Sequence, residues 1–194
     1  MWRHTQIAIK LVVITTILLG VAYPLLITGL AQAFFPRQAN GSLIKHDGRV
    51  VGSELLGQRF TRPEYFHPRP SAAGDGYDAM ASGGSNLGPT SKALAERVSA
   101  DAARLQEESP SLRPGHLPAD MVTTSASGLD PDISLANAEA QAARVAGARG
   151  MSQDEVRRII RSNLTDRHFG LLGECRVNVL RLNLALDAKG ATRP

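Results

Sequence analysis

Polar and apolar positions divide the chain near residue 31. Leu11 to Leu30 (LVVITTILLGVAYPLLITGL) runs for twenty residues without a charge, a carboxamide or an imidazole. At about 1.5 Å of rise per residue a helix of that length spans about 30 Å, the thickness of a bilayer's hydrocarbon core. A lone span must be helical, because unpaired backbone polar groups are costly in lipid. Pro24 lies inside the run; it lacks an N–H, frees the carbonyl of Gly20 and predicts a kink. Thr28 and Gly29 follow within about a turn, so Pro24, Thr28 and Gly29 are expected on a face that meets a protein partner in the membrane. A secretory signal is the competing reading, with Arg3 and Lys10 before the run and the triplet Ala31-Gln32-Ala33 after it. Such signals have a shorter apolar region of about 7–15 residues, and here Phe34-Phe35-Pro36 follows the triplet directly. A buried core helix is the third reading, but this run has no polar face.

Beyond the run, periodicity predicts several shorter elements. Gly48 to Gly57 reads as a short strand and a tight corner after a turn at Ala39–Ser42. Arg59 to Pro70 interleaves Phe60, Tyr65 and Phe66 with Pro63, Pro68 and Pro70, which excludes a regular helix or a central strand. Its aromatics are expected to cover a core edge or to meet a partner. Ser71 to Thr90 holds five glycines in twenty residues. A loop of that length is expected to be a structured, ligand- or partner-facing feature.

A helix is expected from Ser91, with Leu94, Val98, Ala102 and Leu105 on one face, fading at Glu107–Pro110. Ser111 to Asp120 reads as an internal linker, Met121–Thr124 as a strand and Ser125–Asp132 as a turn. Ser134 to Gly147 predicts an alanine-rich helix ending near Gly150. Ser152 and Glu155 form a capping box for the next helix, whose apolar face is Val156, Ile159, Ile160 and Leu164, with Met151 placed to staple against Val156. Cys175 to Asp187 alternates as a half-buried strand would, with a bulge at Leu180.

Composition narrows the function classes. All eighteen acids and twenty of the twenty-two Lys and Arg lie in Pro36–Pro194, so that part carries about +2. This is too little for a nucleic-acid interface. A single cysteine, Cys175, permits no internal disulfide. Basic residues flank the span almost equally, but a ten-residue tail is easily retained while long domains translocate largely regardless of charge. The expected organisation is a cytoplasmic tail at 1–10, a transmembrane helix at 11–35 and one extracytoplasmic mixed α/β (α+β) domain at 36–194.

Chemical motifs are sparse. The chain has no GxxxxGK[ST], GxGxxG, HExxH, CxxC or GxSxG. Its five histidines lack metal-ligand spacing, and Asp130-Pro131-Asp132 lacks the later residues of a calcium loop. No metal site and no catalytic residue are expected. The alternative is a secreted or membrane-anchored hydrolase with Ser82 or Ser85 as nucleophile, Asn86 as oxyanion donor and His67 or His168 as base. Asp75, Asp78, Asp130 and Asp132 are acids that could gather cations.

The motifs together resemble one family. Tyr23-Pro24 in the span, Gln58-Arg59-Phe60, Tyr65-Phe66, Arg69-Pro70-Ser71-Ala72, Tyr77 and Ser82-Gly83-Gly84-Ser85-Asn86-Leu87-Gly88-Pro89 occur in order. Ser127–Ser134, Arg144-Val145-Ala146, Gly170–Glu174 and Arg176–Asp187 follow. Nearly the whole chain thus resembles the KdpC family, the C subunit of the bacterial potassium-transporting Kdp P-type ATPase. The resemblance implies a non-catalytic inner-membrane subunit with a channel-like A subunit, an ATP-hydrolysing B subunit and a small F subunit as partners, besides membrane lipid. It also implies a catalytic chaperone that raises the ATP affinity of the B subunit. ATP would be met through that subunit, with no firmly bound cofactor here. Carried over, Ser82, Gly83, Gly84, Ser85 and Asn86 form a weak signature-like nucleotide loop. Tyr65, Phe66, Arg69, Tyr77 and Asn86 join Pro24, Thr28 and Gly29 as the partner-facing set.

Overall fold

The structure is a computed structural model that describes residues 1–110, 112 and 115–190; Ser111, Arg113 and Pro114 of the expected linker lie outside the described residues. The chain forms two compact units, Met1–Ser53 and Glu54–Pro194.

In the first unit α1 (Trp2–Thr15), a π-helical stretch (Thr16–Ala22) and α2 (Tyr23–Phe34) run on as one helix. Among the described residues, Trp2–Phe34 is the helix long and apolar enough to cross a membrane. Pro24 does not end it. The π-helical stretch lies directly before the proline, and the Tyr23 N–H bonds the Leu18 carbonyl one residue further back than an α-helix would; such a stretch absorbs a missing donor without breaking the helix. Pro24, Thr28 and Gly29 are exposed on α2. A short α3 (Pro36–Ala39) leads into an antiparallel hairpin of β1 (Leu43–His46) and β2 (Arg49–Ser53), with a register shift between Ile44 and Lys45. The sequence pattern shows β2 but not β1. The turn between them, Asp47-Gly48, has positive φ at both residues, as a two-residue hairpin loop demands.

The second unit mixes helices with a small sheet, as expected. After the loop region, α4 (Lys92–Glu108) starts where Ser91 accepts the Leu94 N–H. Met121–Thr124 is not a strand: Ala119–Met121 is a single 3-10 turn, and Thr123 turns its hydroxyl back onto the Ala119 carbonyl. Then come β3 (Asp132–Ser134), α5 (Leu135–Arg149), α6 (Gln153–Ser162), β4 (Leu164–Thr165), β5 (Arg176–Asn178) and α7 (Val179–Gly190). The strands form one antiparallel sheet in the order β3-β5-β4.

The capping box predicted for α6 is present, and α5 ends at Gly150 as expected. Ser134 caps α5, Gly150 ends it in the left-handed conformation, and Ser152 and Glu155 close a capping box on α6. The predicted strand over Cys175–Asp187 is corrected: it ends at Asn178 and the chain continues as α7, so Leu180 lies in a helix and marks no bulge. The buried positions are Val179, Leu180, Leu182, Asn183 and Leu186, a stripe of helical spacing. The core joins Ala142 and Val145 of α5, Val156 and Ile160 of α6, Leu182 and Leu186 of α7, and Ile133 and Val177 of the sheet, with Phe66 from the proline-rich segment among them.

Candidate functional site

The segment before the glycine-rich loop has no strand partner, so helix side chains satisfy its backbone. Asn183 on α7 accepts the Phe66 N–H at 2.8 Å and donates to the Phe66 carbonyl at 3.0 Å. Gln141 on α5 does the same for His67, at 2.8 and 2.9 Å, and donates also to Asn137. These carboxamides are buried, and each replaces one rung of a sheet. Arg144 donates to the carbonyls of Pro63 and Tyr65, and Arg149 to that of Glu64. Tyr65 lies between the guanidinium groups of Arg62 and Arg149, 4.8 and 4.9 Å from its ring centre, and its hydroxyl donates to Asp187. The expected set therefore divides. Phe66 is fully buried and faces the domain's own interior, whereas Tyr65 keeps a half-buried edge.

Arg69 and Tyr77 carry this order into the loop. Arg69 pairs with Asp130 at 2.9 Å, and its carbonyl accepts the Tyr77 hydroxyl at 2.7 Å. Burial pushes the Tyr77 hydroxyl up to about 12, so it stays a donor. Ser71 accepts the N–H groups of Ala73 and Tyr77 and donates to the Gly128 carbonyl. The Gly83 N–H and the Ser82 hydroxyl both reach the Ser127 carbonyl, at 2.9 and 3.0 Å. Thr124 donates to the Ser85 hydroxyl. The loop is thus laced onto Ser125–Asp130. Asn86 is exposed with φ +51°, beside the exposed Leu87.

A phosphate cradle needs free backbone N–H groups and a cation. Here the Gly83 N–H and the Ser82 hydroxyl are committed to Ser127, and Ser71–Thr90 contains no lysine or arginine. Two of the five loop residues, Ser82 and Gly83, thus turn donors inward, and the loop brings no cation of its own. Of the hydrolase candidates, the Ser82 hydroxyl donates to a carbonyl, the Ser85 hydroxyl accepts from Thr124, and the His67 ring lies against the Arg62 carbonyl.

Two of the four cation-gathering candidates are already neutralised, Asp130 by Arg69 and Asp132 by Arg176 at 3.0 Å. Burial raises the Asp132 carboxyl, against the lowering effect of Asn178 and Arg176. Asp78 accepts the Met80 N–H. No group of three or more metal-ligating side chains occurs among the described residues. An open cleft of about 540 Å³ lies beside these pairs, lined by Arg69, Asp120, Asp130, Asp132, Cys175 and Arg176. Asp120 is spent there as a second cap for α5, accepting from Ser134 and Asn137.

The sequence reading missed the carboxamide rungs, because their partners are over seventy residues away in sequence and no local pattern announces them. It also missed the exposed apolar turn at Phe169–Leu172.

Comparison with known proteins adds the context that geometry lacks. Residues 5–188 match the family model of the K+-transporting ATPase c chain, KdpC. The chain is 56% identical over 190 residues to the potassium-transporting ATPase KdpC subunit of Caulobacter vibrioides (strain NA1000 / CB15N), covering 97% of this chain and 95% of that protein. The KdpC subunits of Koribacter versatilis and Gemmatimonas aurantiaca are also 56% identical, over 96% and 100% of this chain and 95% and 97% of theirs.

Proposed function

The chain belongs to the KdpC family of K+-transporting ATPase c chains, and we propose that it is a non-catalytic subunit that holds a potassium pump together. The observation that carries this reading is the likeness over nearly the full chain, span and domain alike, to subunits named for that pump. Its partners are then the channel-like A subunit, the ATP-hydrolysing B subunit and the small F subunit. Trp2–Phe34 anchors it with the N-terminus in the cytoplasm, and the folded unit lies outside, on the channel-like subunit. Pro24, Thr28 and Gly29, exposed on α2, form the docking face of the span. Asn86 and the exposed edges of Tyr65, Arg69 and Tyr77 form that of the domain.

The chaperone effect on ATP affinity, in this reading, passes through the span to the B subunit. Two observations favour that route over direct contact: the inward-turned donors of Ser82 and Gly83, and the absence of a cation in their loop. The test is purification of the tagged full chain with its companions from membranes, followed by measurement of potassium-stimulated ATP hydrolysis. Companion chains should co-purify, and omission of this chain should abolish stimulation or raise the KM for ATP. Full stimulation with an unchanged KM in its absence would contradict the proposal.

A further inference from the structure

The chain between β4 and β5 carries an apolar patch that neither the core nor the glycine-rich loop uses. Phe169 is 94% exposed, Leu171 81% and Leu172 64%. Single exposed apolar residues are ordinary, but three on one turn are not.

The turn is built and closed. His168 and Leu172 exchange backbone hydrogen bonds of 2.9 and 3.0 Å, and the Leu171 and Gly170 N–H groups reach the His168 and Arg167 carbonyls, each at 3.1 Å. Its stem is braced by Arg167 on Glu174 at 3.0 Å and by the Cys175 thiol donating to Asp166 at 3.2 Å. At its head Phe169 has φ +54°, in the left-handed region that bulky side chains avoid. A glycine would hold the same backbone without that strain. Residue 169 therefore combines backbone strain with a ring held in water, a combination that points to a site covered in the working state.

We propose that Phe169, Leu171 and Leu172 form a preformed knob that inserts into an apolar, uncharged socket on another subunit of the pump; this rests on the reading of the chain as a pump subunit. Two observations select that occupant. The three side chains offer on the order of 400 Å², about half of the roughly 800 Å² per partner that a free-standing interface buries. The knob alone is too small to hold two copies of this chain together. It suits a chain already kept beside its partner, as an anchor such as Trp2–Phe34 would keep it. Charge argues against a lipid surface. Asp166, Arg167 and Glu174 give the stem two negative charges and one positive, and Arg176 is committed to Asp132. Anionic headgroups are drawn to basic rims, which this stem lacks.

The experiment uses the full chain in the assembled complex. A photoreactive benzoylphenylalanine replaces Phe169, membranes are irradiated, and adducts are identified by mass spectrometry. In parallel, Phe169→Gly and the triple variant Phe169→Gly/Leu171→Ser/Leu172→Ser are compared with wild type for retention in the purified complex. The proposal expects an adduct with another pump subunit and at least a tenfold loss of the triple variant from the complex. Purified Phe169→Gly alone should melt no lower than wild type, because glycine relieves the strained backbone. An adduct with a second copy, with lipid only or with nothing would overturn it, as would full retention of the triple variant. Failure of the wild-type chain to bring down any companion would instead overturn the pump reading itself.

Discussion

At the scale of single residues, Gly128 fixes how the glycine-rich loop closes. Its φ is +68°, and a Cβ there would sit 2.6 Å from the Gly83 carbonyl oxygen and 2.7 Å from the Ala73 nitrogen. Neither neighbour is a flexible side-chain tip, so Gly128→Ala should cost roughly 2–4 kcal/mol from overpacking plus left-handed strain. Urea denaturation of the purified protein checks this. His67 supplies a second prediction. Burial, and then the Arg144 guanidinium, hold its imidazole below the usual 6.5. The unfolded chain then binds more protons than the folded one just below pH 6.5, so stability falls as pH drops through that window. Melting temperature should decline between pH 7 and 5, and His67→Asn should flatten the decline. An equal slope in both proteins would show that His67 is not the group responsible.

At the scale of elements, α7 is held to the proline-rich segment by the Asn183 carboxamide on Phe66 and by Asp187, which accepts the Tyr65 hydroxyl. Asn183→Ala would leave the buried N–H and carbonyl of Phe66 without partners, at a cost of roughly 2–4 kcal/mol, read as a lower urea midpoint with an unchanged slope. The same region shows why the sequence was legible in parts. The caps of α5 and α6 rest on residues three apart, Ser134 with Asn137 and Ser152 with Glu155, so local chemistry announces them. The start of α7 has a cap of the same kind, Asn178 accepting the Arg181 N–H at 3.1 Å, but an apolar alternation runs across it. Val177, Val179, Leu182, Leu184 and Leu186 alternate nearly as a strand would, whereas β5 is three residues long and the chain turns helical at Val179. β1 escaped for a different reason: its burial pattern is nearly all exposed, so no apolar face marked it. The glycine-rich loop was legible as a structured feature through its composition. Its inward-turned donors were not, because Ser127 lies 45 residues from Ser82.

At the scale of the whole molecule, an apolar helix and a mixed α/β unit are joined in one chain that belongs to the KdpC family. The span could be read from length and composition alone, and the family from ordered motifs along the chain. Neither fixes the side of the membrane on which Glu54–Pro194 resides, and on that side depends whether Ser82–Asn86 can ever meet nucleotide. In the proposed function this unit lies outside the cytoplasm, as part of a non-catalytic subunit acting on ATP affinity only through its partners. Protease digestion of oriented membrane vesicles tests this most directly. The folded unit should be cleaved when protease is added to the extracytoplasmic face and protected when it is added to the cytoplasmic face. Cleavage from the cytoplasmic face alone would contradict the account and return the glycine-rich loop to the side where ATP is bound.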